Sequence, residues 1–207
     1  MKKVLLSACL CLTFGLFAQA QSKSEKEEVV FLKTNLGEMV LVLFNETPLH
    51  KENFLKLAKS GFYDSTSFHR IIKNFMIQGG DPNSKDADST NDGQGGPGYT
   101  IPAEFNPKFR HIQGAVAAAR MGDQVNPNKE SSGSQFYIVE NKTGTHFLDN
   151  NYTVFGQVIK GLEVVEAIAD QQKNFMDRPL RSIKMSMKVK TMKREKITKE
   201  FGYQFPS

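Results

Sequence analysis

The sequence predicts a mainly β protein whose short strands close into an antiparallel barrel. Three observations carry this. Short β-rich runs recur along the chain, and only two segments have helical spacing. The last run alternates strictly: Ile183, Met185, Met187 and Val189 interleave with Lys184, Ser186, Lys188 and Lys190. Period two with one apolar face marks a half-buried strand, and serial short strands with few helices favour a closed sheet.

The elements follow in chain order. Lys2 and Lys3 precede an apolar run, Val4 to Ala18, and Ala18-Gln19-Ala20 is a small-x-small site. Residues 1–20 therefore read as a secretory signal peptide, which predicts a periplasmic or secreted protein. Two alternatives are open. A membrane anchor would need ~18–20 apolar residues, more than this run holds. Leu6-Ser7-Ala8-Cys9 is similar to a lipoprotein signal with Cys9 lipidated, but few apolar residues precede Cys9. Residues 21–28 are polar and read as a flexible lead-in. Val29–Thr34 and Met39–Phe44 are strands joined by a turn at Asn35-Leu36-Gly37. Thr47 and Pro48 can start a helix and Gly61 can end it, with Phe54, Leu57 and Ala58 facing the core. Strands are expected at 68–72, 75–78, 115–119, 135–139 and 153–158, and a second helix at 162–169. Residues 193–207 read as a basic tail.

Composition narrows the chemistry. The chain has 207 residues and a formal charge of +5, with two Cys, no Trp, 16 Phe and 8 Met. Both cysteines, Cys9 and Cys11, leave with the signal. The mature chain then excludes disulfides, thiol catalysis and Cys-ligated metal. Residues 178–199 hold nine Lys/Arg and one acid, Glu195. The basic character thus belongs to the last strand and tail; its bland reading is a solvated strand face, and no nucleic-acid partner is expected. Asp81, Asp86, Asp88 and Asp92 lie in a long Gly-rich stretch, 81–102, but without the Gly and distal Glu of a calcium loop. They read as a solvated acidic loop. The four His (50, 69, 111, 146) are scattered, and no Ser sits in a Gly-x-Ser-x-Gly elbow. What remains is an Arg, two Gln and many Phe and Met, which are parts for gripping a peptide in an apolar groove.

One segment is more specific. Phe68-His69-Arg70-Ile71-Ile72-Lys73-Asn74-Phe75-Met76-Ile77-Gln78-Gly79-Gly80-Asp81 resembles the signature of the cyclophilin-type peptidyl-prolyl isomerases. The resemblance continues through Gly93–Gly96, Gly114–Arg120, Gly133–Ile138, Phe147-Leu148-Asp149 and Thr153–Val158, and covers residues 29–192. It implies an eight-stranded antiparallel barrel capped by two helices and a cofactor-free, metal-free enzyme. Its partners would be proline-containing polypeptides, with no stable membrane insertion once the signal is removed.

The resemblance also implies roles. Arg70 would be the catalytic residue, donating to the prolyl nitrogen. Phe75, Met76, Tyr137 and Leu148 would form the proline pocket. Gln78 would hold a substrate carbonyl and support Arg70. Ala119 and Arg120 would pair with the peptide through their own main chain. Gln135 would sit beside the residue preceding proline, near Gln94. This sequence departs from the family at four places. Phe147 stands where many eukaryotic members carry Trp, so cyclosporin binding should be weak or absent. Tyr152 replaces a His, Tyr137 a Phe and Arg120 an Asn. The Tyr137 hydroxyl needs a partner or water. Taken singly, Phe75, Met76 and Leu148 are ordinary core residues, and a lone Arg is ordinary surface charge; only the joint pattern points to a site. Two function classes follow: an isomerase acting on X-Pro bonds of exported polypeptides and assisting their folding, or a cyclophilin-like Pro-peptide-binding chaperone module with little turnover.

Overall fold

The computed structural model describes residues 25–205. The expected signal segment, including Ala20 and the alternative lipidation at Cys9, lies outside the described residues. Ten strands and three α-helices run in the order β1 (Lys26–Thr34), β2 (Gly37–Leu43), α1 (Pro48–Lys59), β3 (Phe68–Ile72), β4 (Met76–Gly79), β5 (Thr100–Ile101), β6 (Ala115–Ala118), β7 (Ser131–Ser132), β8 (Phe136–Val139), β9 (Val154–Lys160), α2 (Leu162–Ala169), β10 (Met185–Lys193) and α3 (Arg194–Phe201). Eight strands form one antiparallel sheet in the order β10-β1-β2-β9-β6-β8-β4-β3, and β5 pairs with β7 apart from it.

The sheet curls until its edge strands approach. Ser67 bridges Lys184. Across the same seam Phe68 N donates to Ile183 O (3.0 Å), Met185 N to Thr66 O (2.8 Å) and Ser65 N to Met185 O (2.9 Å). Beyond this seam β3 and β10 are not paired by a ladder, so the sheet is a curled half-barrel in its hydrogen bonding rather than the fully laddered barrel expected.

Local chemistry explains the elements and corrects several expectations. The β1–β2 turn is tight because Gly37 has φ +141°, and the Thr34 hydroxyl accepts from Leu36 N (3.0 Å) while donating to Gly37 O (3.0 Å). Lys26–Glu28, expected in a flexible lead-in, belong to β1, where they face Thr191–Lys193 of β10. Glu27 and Arg194 clamp that end, with Arg194 Nε donating to the carboxylate at 3.0 Å. The basic tail is likewise ordered. It forms α3, which buries Ile197 with Val29, Val40 and Val42 and rests Phe201 against the same cluster. Thr47 does not cap α1 with its side chain; its hydroxyl turns back to Phe44 O. The Glu104 carboxylate accepts from Leu49 N (3.1 Å) and His50 N (2.9 Å) instead. A carboxylate there satisfies orphan donors and opposes the positive end of the helix dipole.

Two apolar clusters share the middle strands. Ile77, Val116, Ala118, Phe136 and Ile138 join the main core with Phe54 of α1 and Val165 and Ile168 of α2. The alternate residues, Met76, Ala115, Ala117, Tyr137 and Val139, form a second cluster on the opposite face. Alternation sends successive side chains to opposite faces, so β4, β6 and β8 are apolar on both. The second cluster is completed by half-buried Ile72, Phe75, Leu148 and Tyr152.

Candidate active site

The site is built on that second face. In an antiparallel sheet, residues directly opposite one another share a face. Arg70 faces Gln78, Gln78 faces Tyr137, Tyr137 faces Ala117, and Ala117 faces Val154. A neighbouring row runs Ile72, Met76, Val139. With strands ~4.8 Å apart, Arg70 stands about 10 Å from Tyr137 along its row. Arg70 reaches this face because of a bulge. Phe68 pairs with Gly79 and Arg70 with Gln78, so β3 holds an extra residue, His69, between them. Phe68 stays in the main core while Arg70 turns to the other side, which is the re-aiming that bulges provide. Arg70 is half-buried, and among the described residues no carboxylate pairs with it.

Beside Arg70 a polar chain continues the site. Gln78 Nε2 donates to Gln135 Oε1 (3.1 Å), and Gln135 Nε2 donates to Gly93 O (3.0 Å) and Gly95 O (2.8 Å). The Gly-rich loop is therefore held against β4 and β8 from one side. Asp81 holds it from the other. This carboxylate is fully buried and accepts from Asn83 N (2.8 Å), Gly95 N (3.3 Å) and Gly93 N. Gly95 is required here, since a Cβ would collide with Asp81 and Asn83. Asp81 is thus no part of a solvated acidic loop. Its companions also find donors within the protein: Asp88 takes Thr90 N (2.9 Å), and Asp92 is paired with Arg178. Gln94 is exposed, and its side chain donates to Thr90 O (3.2 Å).

The loop borders a groove of about 670 Å³ lined by Gln78, Gln94, Ala119, Arg120, Met121 and Gln135 among others. Ala119 is tied into the fold by its main chain. Its N–H donates to Gln135 O (3.0 Å) and its carbonyl accepts from Ser132 N (2.8 Å), so its main chain is already engaged within the fold. Among the described residues, the Arg120 main chain has no such partner.

The second apolar cluster has a hydrogen-bonded floor. Tyr137 Oη lies 2.8 Å from His111 Nε2, and His111 Nδ1 lies 2.8 Å from Asp149 Oδ1. The hydroxyl thus has its partner, a histidine that carried no sequence signal. With Nδ1–H donating to the carboxylate, neutral His111 leaves Nε2 to accept from the tyrosine. Asp149 also accepts from His111 N (2.8 Å), Arg110 Nε (2.5 Å) and His146 Nδ1 (3.1 Å). Burial alone would raise its pKa, but these four donors hold it well below the usual carboxylate range. Asp149 thereby fixes the turn that carries Phe147 and Leu148. Leu148 lies half-buried against the second cluster. Phe147 is 72% exposed at the rim, its ring stacked on Phe75 at 5.8 Å. Tyr152 meets Tyr137 edge-on at 5.9 Å.

With this geometry in view, comparisons with known proteins are specific. The model for "Cyclophilin type peptidyl-prolyl cis-trans isomerase/CLD" matches residues 29–189. The chain belongs to the cyclophilin family. Human peptidyl-prolyl cis-trans isomerase-like 1 is 35% identical over 160 residues, spanning 75% of this chain and 88% of its own length. A putative peptidyl-prolyl cis-trans isomerase of Staphylococcus aureus is 34% identical over 198 residues, spanning 81% and 94%. Among solved structures, a cyclophilin type isomerase of Cryptosporidium parvum superposes with TM-score 0.69 and 30% identity, covering 80% of this chain and 98% of that one. The same protein in the presence of the dipeptide Ala-Pro gives a TM-score of 0.68.

Two predictions arise from the buried polar groups of this cyclophilin. Removing the hydroxyl in Tyr137→Phe leaves His111 Nε2 without its donor. It should destabilise the protein by about 1–3 kcal/mol in urea titrations; an unchanged midpoint would mean that the bond contributes nothing. The second concerns pH. Burial pushes His69 from 6.5 down to about 4, with Asp81 opposing. Burial also lowers His50 and His111, opposed by Glu104 and Asp149. Below 6.5 the unfolded chain then binds more protons than the folded one, so stability rises with pH in this window and is lost as pH falls toward 4. His69 alone should account for ~3 kcal/mol. Urea midpoints at pH 7 and pH 4.5 should differ, and His69→Gln should shrink that difference.

Proposed function

We propose that this cyclophilin accelerates cis/trans isomerisation of X-Pro peptide bonds with the row Arg70–Gln78–Tyr137 as its working surface. The observation that supports this best is an arginine free of any carboxylate partner among the described residues, opposite Gln78 and beside an otherwise apolar face. Rotation about the peptide bond meets a barrier of ~18–20 kcal/mol because the C–N bond has double-bond character. No bond to carbon forms or breaks, so no nucleophile is required. The catalyst has to bind the twisted amide better than either planar form. Twisting makes the prolyl nitrogen pyramidal and able to accept a hydrogen bond, and Arg70 is a permanently charged donor. The ring of proline would lie on Phe75, Met76, Tyr137 and Leu148. The planar amide is more charge-separated than the twisted one, so an apolar surface disfavours it more. Gln78 would take a substrate carbonyl and Arg120 would offer its main chain. Phe147 offers no N–H donor at the rim, which fits weak cyclosporin binding. The edge seam at 65–68 and 183–185 is read as the closure of a barrel.

Export belongs to the same proposal. Residues 1–20 direct the chain out of the cytoplasm, with cleavage after Ala20, and the clients are exported polypeptides. Isomerisation takes tens of seconds uncatalysed and can limit their folding. Mass and N-terminal sequencing of the exported protein should place its first residue at Gln21; a lipid-modified N-terminus at Cys9 would replace this reading with the anchored one.

Arg70→Ala tests the mechanism. One charge-assisted hydrogen bond contributes ~1.5–3 kcal/mol, about one to two decades of rate at ~1.4 kcal/mol each. An Ala-Pro test peptide should therefore be turned over at least tenfold more slowly, with an unchanged fold by circular dichroism. A variant as active as the parent sinks the assignment of Arg70.

A further inference from the structure

The Arg120 side chain does something that its main chain does not explain. It lines the groove, yet its side chain is only 4% exposed. Its Nε donates to Asn151 O (2.9 Å), and Nη1 donates to Met121 O (3.0 Å) and Asp123 Oδ1 (2.5 Å). The guanidinium also covers the Tyr152 ring, 4.5 Å from its centroid. A second tie runs alongside, from Lys129 Nζ to Asn151 Oδ1 (2.6 Å). Segment 121–126 contributes Met121, Val125 and Asn126 to the groove, and Tyr152 stands edge-on to the pocket floor at Tyr137.

We infer that the Arg120 side chain is a positioning residue that locks the groove rim at 121–123 to the 151–152 turn and holds Tyr152 against the proline pocket. The planar fork of arginine suits this: Nε and Nη1, on different edges, meet two carbonyls and a carboxylate while a face covers the aromatic ring. Lysine has neither the second donor edge nor the flat face. Asp123 neutralises the charge internally, so the side chain orders the site rather than recognising an acidic substrate. Where the family's asparagine works through its backbone, this chain adds a side-chain clamp that matches its unusual Tyr152.

This inference rests on the proline-pocket reading, and the experiment separates the two. Kd and, from turnover, KM and kcat for an Ala-Pro peptide are measured for the parent, Arg120→Met, Arg120→Lys, Tyr152→Ala and the Arg120→Met/Tyr152→Ala double variant, with melting curves for each. Arg120→Met keeps the apolar stem and is the variant expected to fold. It should raise KM and Kd about five- to tenfold while kcat changes less than twofold, and Arg120→Lys should not restore them. In the Tyr152→Ala background the same substitution should change Kd less than twofold. The preference for Glu-Pro over Ala-Pro peptides should be the same in parent and Arg120→Met. An unchanged Kd in Arg120→Met, independent effects that multiply in the double variant, or a lost Glu-Pro preference each overturns the clamp. A parent that binds the peptide without accelerating its exchange overturns the isomerase reading, and the Kd cycle still decides the clamp.

Discussion

Everything in the site depends on strands that are apolar on both faces. An ordinary antiparallel sheet needs one buried face, and the other can be left to water. Here β4, β6 and β8 devote one set of residues, such as Ile77, Val116 and Ile138, to the main core, and the alternate set, such as Met76, Ala117 and Tyr137, to an external cluster. The second cluster is thus the reverse side of the core and inherits the rigidity of close packing. A bulge at His69 turns a charged donor, Arg70, to that surface. Without it, alternation would place Arg70 and Phe68 on the same side of the sheet.

Loops reach this surface through carboxylates that sequence separation hides. Asp81, Asp149 and Glu104 each accept from backbone N–H groups of other segments. A carboxylate taken from water is costly unless donors replace the lost solvation, and charge-assisted bonds do this well. Asp81 fixes the Gly-rich loop, Asp149 the turn bearing Phe147 and Leu148, and Glu104 the start of α1. The face proposed for catalysis is therefore assembled with the help of a small number of acids that touch no substrate in the proposed mechanism.

What could be read beforehand follows from the range of the interactions. Strand alternation is local, so the final strand was visible in Met185 and Met187 against Ser186 and Lys188, and the β1–β2 turn in Gly37. Arg70, Gln78 and Met76 were legible as one motif because they lie within nine residues of chain. The third helix was not. Its lysines and Arg194 read as a basic tail, and only the contact of Ile197 with Val29 and Val40 decides that it folds back. His111 was equally silent, because its meaning lies in Tyr137 and Asp149, each more than twenty residues away. The same holds for Ala119: nothing in its sequence context says that its main chain is spent on Gln135 and Ser132. Arg120 could be read as a substitution but not as a clamp, since Tyr152 and Asn151 come near it only through the fold.

The fastening of the Gly-rich segment has a consequence for how this chain can change over generations. Residues 81–102 are pinned at Asp81, at Gly93 and Gly95, and at the β5–β7 pair. Between the pins, residues 85–90 are exposed. Insertions or charge changes there need not disturb the anchors, so that stretch can drift and acquire new contacts while the geometry beside Gln135 is inherited intact. The loop is divided into a conservative frame and a short experimental stretch, and the boundary is set by where the buried hydrogen bonds stop.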